Sequence, residues 1–319
     1  MSGSVEVGLA LRNRTRRAAG PSGVLAIDKP IGPTSHDIVA GVRRRLGTRA
    51  VGHAGTLDPM ASGVLVVLLG EGTKLCSLVS ADAKRYRATV AFGTSTDTLD
   101  AQGSVTDQSA LAPGWLDSEQ LAAALELERQ RIAQEPPAFS AIKVAGQRAH
   151  RLARGGASVA LPPRPVEVFE LQLLTTSATE AVIELTVSKG YYVRSLARDL
   201  GRHLGVPAHL AALRRTASGH FTLDDCQPWP LADPVTWLSL EDTARRYLPH
   251  GILGHSGVTR ARHGQTLREE DFAQLPPAEA EVCAWVDEEG TLVALGRRAA
   301  DGRLLVTRGI VNRPRNGES

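Results

Sequence analysis

One acid in this 319-residue chain is set apart by its surroundings. Asp58 lies within Val51-Gly52-His53-Ala54-Gly55-Thr56-Leu57-Asp58-Pro59-Met60-Ala61-Ser62-Gly63-Val64-Leu65. The residue before a proline is pushed out of helical geometry, so Asp58 is expected on an irregular loop that leads into an apolar strand. The flanking glycines let a ligand approach that backbone closely. A carboxylate presented in this way can attack an electrophilic carbon or remove a proton. Asp-Pro is also a common turn, and on these residues alone both readings stand. No second placed carboxylate, phosphate-binding glycine loop or metal-ligand spacing accompanies Asp58, which disfavours a small-molecule hydrolase and a nucleotide-cofactor enzyme.

The elements that must position Asp58 follow from hydrophobic periodicity and turn signals. Residues 23–27 form a short apolar strand that ends in the Asp28-Lys29-Pro30 turn. Thr34 or Ser35 caps a helix that runs to about Leu46, with Arg43, Arg44 and Arg45 near its exposed end. Strands are expected at residues 64–69, 85–92, 165–174 and 182–188, and helices at 118–131, 145–155 and 193–204. This alternation indicates a mixed α/β or α+β catalytic domain rather than a regular βαβ array. The proline-rich stretch 228–234 reads as a linker or boundary. Beyond about residue 250, short strands at 282–286, 292–295 and 304–306 suggest a compact β domain.

The length fits one large domain plus a smaller one. With 42% hydrophobic and 22% charged residues, the chain can build a packed core. No apolar run approaches the roughly 18 residues that a membrane span needs, and no secretory signal is recognisable. Arg12, Arg14, Arg16 and Arg17 make residues 1–22 a flexible basic extension, with an organellar transit peptide as the weaker reading. Cys76, Cys226 and Cys283 have no disulfide or zinc spacing, which fits a reducing cytoplasm. A net charge of +3 does not establish nucleic-acid binding. Its distribution is more telling: of the five lysines, Lys29, Lys84, Lys143 and Lys189 fall in distinctive segments, and Lys74 lies between two of them.

Those segments keep a fixed order. They are Lys29-Pro30 with Gly32-Pro33-Thr34-Ser35-His36-Asp37, the Asp58 segment, Lys84-Arg85-Tyr86, Ser140-Ala141-Ile142-Lys143-Val144 with Gly146, and Leu161-Pro162-Pro163-Arg164. Ser188-Lys189-Gly190-Tyr191-Tyr192-Val193-Arg194-Ser195 and Leu213-Arg214-Arg215 follow. From residue 23 to about 225 the series resembles the TruB family of pseudouridine synthases. Its KPxGxTSH, GHxGTLDPxAxG, KxY, SKGTYIRT and LRR motifs have counterparts here. Tyr191 stands where the family commonly has Thr, and His150 where it commonly has Tyr.

The resemblance implies a pseudouridine synthase catalytic fold, with a central mostly antiparallel sheet flanked by helices and a small C-terminal β-rich PUA-like RNA-binding domain. The corresponding boundaries are 1–22 for the extension, 23–250 for the catalytic domain and 251–319 for the PUA-like domain. It further implies isomerisation of uridine to pseudouridine at position 55 in the T-loop of tRNA, without cofactor or metal, by a cytoplasmic monomer that needs no obligatory protein partner. Asp58 is the implied nucleophile or base on a flipped-out uridine. A working carboxylate is best kept ionised by a guanidinium, and Arg194 is the matching candidate. A flipped base is held between aromatic and apolar side chains. The resemblance gives Tyr86 as the stacking platform, Tyr192 as a pocket residue and Leu213 as an apolar wall. Taken alone, Tyr191-Tyr192 would more often be strand packing than a base platform. His53 is implied to support the flipped conformation, although its residue type also suits proton transfer. Lys29, Lys74 and Lys84 either contact phosphate or order the loop. An insertion at about 133–156, with Lys143, Arg148, His150, Arg151 and Arg154, is implied to pack on the tRNA T-arm. Arg297, Arg298, Arg303 and Arg308 lie in the C-terminal module. Two other readings are a guide-RNA-dependent relative of the archaeal and eukaryotic type, and an RNA chaperone that folds tRNA through its T-arm.

Overall fold

The computed structural model describes residues 20–140, 142–144, 147–148 and 161–311. A continuous apolar strand must be covered on both faces, and the run that follows Asp58 is. Nine strands form the main sheet: β1 (Gly23–Lys29), β2 (Val51–His53), β3 (Ala61–Leu69), β4 (Lys84–Phe92), β5 (Val168–Thr176), β6 (Glu180–Val187), β7 (Ala208–Ser218), β8 (Phe221–Thr222) and β9 (Gln227–Pro228). Their order is β5-β6-β4-β7-β3-β1-β9, with β2 paired to β3 and β8 to β7. Only β1 with β9 and β3 with β7 run parallel, so the expected mostly antiparallel sheet is borne out. On β3, Leu65, Val67 and Leu69 enter one core while Val64, Val66 and Leu68 enter another on the opposite face.

The first core is closed by α1 (Ser35–Arg45), α3 (Ser118–Arg129) and α4 (Val193–Leu204), through Ile38, Val39, Val42, Leu121, Leu125, Leu196 and Leu200. The second is covered by α2 (Cys76–Ala81), α5 (Leu240–Tyr247) and a C-terminal sheet. That sheet comprises β10 (His250–Leu253), β11 (Phe272–Gln274), β12 (Cys283–Val286), β13 (Leu292–Arg298) and β14 (Leu304–Gly309), in the order β11-β10-β12-β13-β14. Helix α6 (His255–Arg262) packs beside it and contributes Ala261 to its own small core with Leu253, Trp285, Val293 and Leu304. The other side of this sheet, Ala284, Val286, Leu292 and Leu295, joins the second core of the main sheet. No helix among the described residues is long and apolar enough to cross a membrane.

Four sequence expectations need adjustment. Thr34 is the cap of α1, in a reciprocal capping box with Asp37, which leaves Ser35 free for another task. At the start of the stretch 228–234, Pro228 belongs to β9 at the edge of the main sheet beside β1, where a proline without an N–H is tolerated, and Trp229 and Leu231 pack against the first core. Within the helix expected at 145–155, Gln147 and Arg148 are strand instead, pairing with Val144 and Lys143. The remainder of that expected helix, and most of the basic extension, lie outside the described residues. Strand β7, the longest in the sheet, was not anticipated. Register shifts at Leu210/Ala212 and Arg215/Ala217 break its alternation, so no clean period of two marks it in sequence.

Candidate active site

Asp58 sits on the loop between β2 and β3, held from three directions. Ser35 Oγ accepts from Leu57 N at 2.8 Å and donates to Leu57 O at 3.0 Å, pinning both backbone groups next to Asp58. Gly32 N donates to Pro59 O at 2.9 Å. From below, Arg215 on β7 is 1% exposed and donates to Gly55 O, Thr56 O and Val64 O at 3.2, 3.4 and 2.7 Å. Arg215 reaches the loop because β7 runs parallel to β3, and Gly63 makes that approach possible. With φ at +102°, a Cβ on Gly63 would stand 2.1 Å from Arg215 O.

The Asp58 carboxylate is 35% exposed, while the side chain of Arg194 beside it is only 7% exposed. Arg194 Nε lies 2.9 Å from Asp58 Oδ2. The rest of the guanidinium is fixed by Thr98 O at 2.9 Å, Phe139 O at 3.0 Å and the Asp100 carboxylate at 3.7 Å. A planar fork so anchored cannot turn away from Asp58, and one face of the carboxylate stays open to a ligand. Between two of these anchors Leu99 adopts φ 62°, a left-handed conformation that costs a non-glycine residue on the order of 1 kcal/mol.

Tyr86 and Leu213 belong to the first core, as do Leu57 and Met60 of the Asp58 loop. Leu213 pairs in register with Ala61, three residues beyond Asp58, and Tyr86 with Arg215. Tyr192 is the N-cap residue of α4, half-buried. Burial raises its phenol above the ordinary value, against a hydrogen bond with Ser140 and the charge of Arg194 that lower it. His53 meets His36 edge-on, with ring centroids 5.4 Å apart. Burial, His36 and Arg215 lower its pKa, which leaves the imidazole neutral at neutral pH and better suited to orienting a ligand than to donating a proton.

The lysines divide. Lys29 is fully buried, its ammonium donating to Pro30 O at 2.8 Å and Pro33 O at 2.9 Å. Burial lowers its pKa to about 8, with Asp58 opposing that shift and Arg215 adding to it. Of the two roles open to it, this geometry supplies loop ordering. Lys84 is also buried, bonded to Ser80 O and Asp82 O and lowered to about 8 by burial and by Arg215. Lys74 is not joined to Asp58 by any of these contacts. It pairs with Glu71 at 2.6 Å and donates to Gly309 O at 2.8 Å, tying the 3-10 turn Gly70–Leu75 that follows β3 to β14. The described residues hold no cluster of three or more His, Cys, Asp or Glu that could bind a metal.

Sequence reading passed over Ser35, Asp100 and Arg215. Ser35 and Arg215 lay inside recognised motifs, but their partners are backbone groups, which residue identity does not reveal. Asp100 had no sequence signal beyond Leu99, whose strain appears only in the structure.

The overall architecture matches chains of solved complexes. A chain from a structure titled as a Cbf5-Nop10-Gar1 complex aligns with a TM-score of 0.67 at 25% identity, covering 92% of this chain and 85% of that one. A second, from an H/ACA RNP bound to a substrate RNA containing 2'-deoxyuridine, aligns with a TM-score of 0.66 at 23% identity, over 91% of this chain and 86% of that one. The fold is therefore that of a pseudouridine synthase. Residues 43–193 match the TruB family pseudouridylate synthase N-terminal domain, and residues 194–253 the tRNA pseudouridylate synthase B C-terminal domain. A tRNA pseudouridine synthase B from Corynebacterium jeikeium is 40% identical over 300 residues, covering 89% of this chain and 94% of its own. Another from Mycobacterium bovis is 45% identical over 256 residues, covering 78% and 85%. The chain belongs to the TruB family of pseudouridylate synthases and is an isomerase.

Proposed function

We propose that this protein converts uridine 55 in the T-loop of tRNA to pseudouridine, with Asp58 as its catalytic carboxylate. The observation that carries this reading is the anchored Arg194 at 2.9 Å from a partly exposed Asp58. A uridine flipped from its stack lies against Tyr86, flanked by Leu213 and Tyr192, and its ribose faces Asp58. Asp58 either attacks C1′ or removes the proton on C2′; in both cases the N1–C1′ bond breaks and uracil leaves with the bonding electrons. The base rotates and C5 bonds to C1′, displacing Asp58 from C1′ in the first route or taking back the proton at C2′ from Asp58 in the second; the C5 proton is then lost to a base, and N1 takes one up. The reaction is redox-neutral and incorporates no water, so its balance needs no cofactor. His53 supports the flipped RNA, and the C-terminal sheet serves as a PUA-like RNA contact.

The fold likeness to chains from ribonucleoprotein complexes raises a guide-dependent reading. Identity of 40–45% to tRNA enzymes, against 25% to the complex, favours the stand-alone enzyme.

The decisive measurement maps pseudouridine in an unmodified tRNA transcript incubated with the pure protein. Conversion at a single T-loop uridine without guide RNA is expected. Asp58→Asn and Asp58→Ala should lower the rate by at least about 1,000-fold while tRNA binding stays within a few-fold. Wild-type rates in both variants would remove Asp58 from its role. Equal rescue of every cellular defect by the inactive variants would make tRNA folding the main task.

A further inference from the structure

Residues 128–139 run along the start of α4 and grip it at several points. Glu128, in the last turn of α3, is fully buried. Its Oε1 accepts from the Tyr191 hydroxyl at 2.6 Å and from Arg131 Nε at 2.7 Å, and its Oε2 pairs with Arg131 Nη2 at 2.6 Å. Arg131 continues to Asp199 on α4 at 3.3 Å. Buried charge is tolerated only when saturated in this way. Gln134, also buried, holds both backbone groups of Tyr192: Oε1 accepts from Tyr192 N at 2.8 Å, and Nε2 donates to Tyr192 O at 3.1 Å. Ser195 Oγ donates to Glu135 O at 2.8 Å, and Arg194 Nη2 to Phe139 O at 3.0 Å.

Tyr191, Tyr192, Arg194 and Ser195 are thus each fixed by one segment. The turn they form carries the guanidinium that meets Asp58. Burial and Glu128 push the Tyr191 phenol well above its ordinary range, so it remains a hydrogen-bond donor at any working pH. Chemistry at Asp58 does not itself call for a buried tyrosine–carboxylate pair behind Arg194. A device that fixes the angle of the guanidinium does.

We propose that Tyr191, Glu128 and Gln134 are positioning residues, a brace that sets where Tyr192 and Arg194 stand relative to Asp58 and thereby the rate of the isomerisation step. This rests on the roles given above to Asp58 and Arg194. A purely structural function would lower stability and leave the rate on bound RNA unchanged. A brace acts through Arg194, because misplacing a reacting geometry by about 1 Å can cost up to about 100-fold.

Tyr191→Phe removes one hydroxyl and keeps the ring. Gln134→Glu keeps the acceptor for Tyr192 N and removes the donor to Tyr192 O. Single-turnover conversion of saturating tRNA transcript and tRNA affinity are measured for each, alone and combined with Arg194→Lys. Each single variant should convert about 10-fold more slowly with affinity within about two-fold. In the Arg194→Lys background the further loss should be less than about two-fold, since the contact being placed is already gone. If either variant fails to fold, the other carries the same comparison. Wild-type rates in the folded variants, or losses that multiply in full with Arg194→Lys, would overturn the brace. Failure of the wild-type protein to convert the transcript would instead overturn the parent assignment.

Discussion

At Lys29 the sequence offered two roles, and burial separates them. A lysine with no exposed surface and two carbonyl partners is a structural cation, held at a pKa of about 8 against the ordinary 10.5. Between those values the folded protein binds fewer protons than the unfolded chain, so this residue makes stability rise with pH across that window. Below about pH 8 its ammonium is charged in both states and its burial costs the fold most. Lys84 is lowered to about 8 as well, so the wild-type curve alone does not isolate Lys29. Lys29→Met does. The stability of wild type relative to this variant should increase by on the order of 3 kcal/mol from pH 8 to 10.5, in denaturant titrations at fixed ionic strength. A difference that stays flat with pH would show that Lys29 does not titrate in the fold. The charge of Asp58 opposes that lowering at Lys29, while Arg194 bonds the Asp58 carboxylate directly.

At the scale of elements, the loop between β2 and β3 works because neighbouring elements supply its hydrogen bonds. Ser35, one residue beyond the cap of α1, is the link from that helix to Leu57. Ser35→Ala leaves a buried N–H and C=O without their partner and should cost about 1–3 kcal/mol in chemical denaturation. It should also slow conversion of tRNA, because Asp58 follows Leu57 directly. Unchanged stability together with an unchanged rate would mean that the loop holds its shape unaided. These elements also show what was legible in advance. Helix α4 was read with its observed bounds, since its apolar period and the glycine that ends it are local signals. The pairing of Asp58 with Arg194 came from motif order, and the 2.9 Å contact fits it. Arg215 stayed hidden although its motif was noted, because a side chain that bonds carbonyls has no partner residue to find. Strand β7 stayed hidden because its bulges erase alternation. Tyr191 looked like a mere departure from the family pattern until Glu128, far away in sequence, proved to accept its hydroxyl.

For the whole molecule, the C-terminal sheet bears on how the catalytic sheet stays folded. From sequence it was a small domain after a boundary. In the structure Ala284, Val286, Leu292 and Leu295 share a core with Val64, Val66 and Leu68, on the strand that leaves the Asp58 loop. Polar contacts reinforce that seam: Lys74 to Gly309 O at 2.8 Å, Val311 N to Glu71 at 2.8 Å, and Leu292 N to Glu241 at 3.2 Å. The two sheets should therefore melt as one cooperative unit rather than as beads on a string. Ending the chain after Pro249 would remove Val286, Leu292, Leu295 and Ile310 from the core that they share with Val24, Val64, Val66, Leu68, Leu75 and Val79. At about 1.5–3 kcal/mol for each large apolar side chain, the lost burial is comparable with the roughly 5–15 kcal/mol that holds a typical domain together. Calorimetry of the full chain should give a single transition, and the shortened chain should aggregate or bind a hydrophobic dye strongly. Two resolved transitions, with the first unchanged in the shortened chain, would show that the C-terminal sheet is only an appended RNA contact.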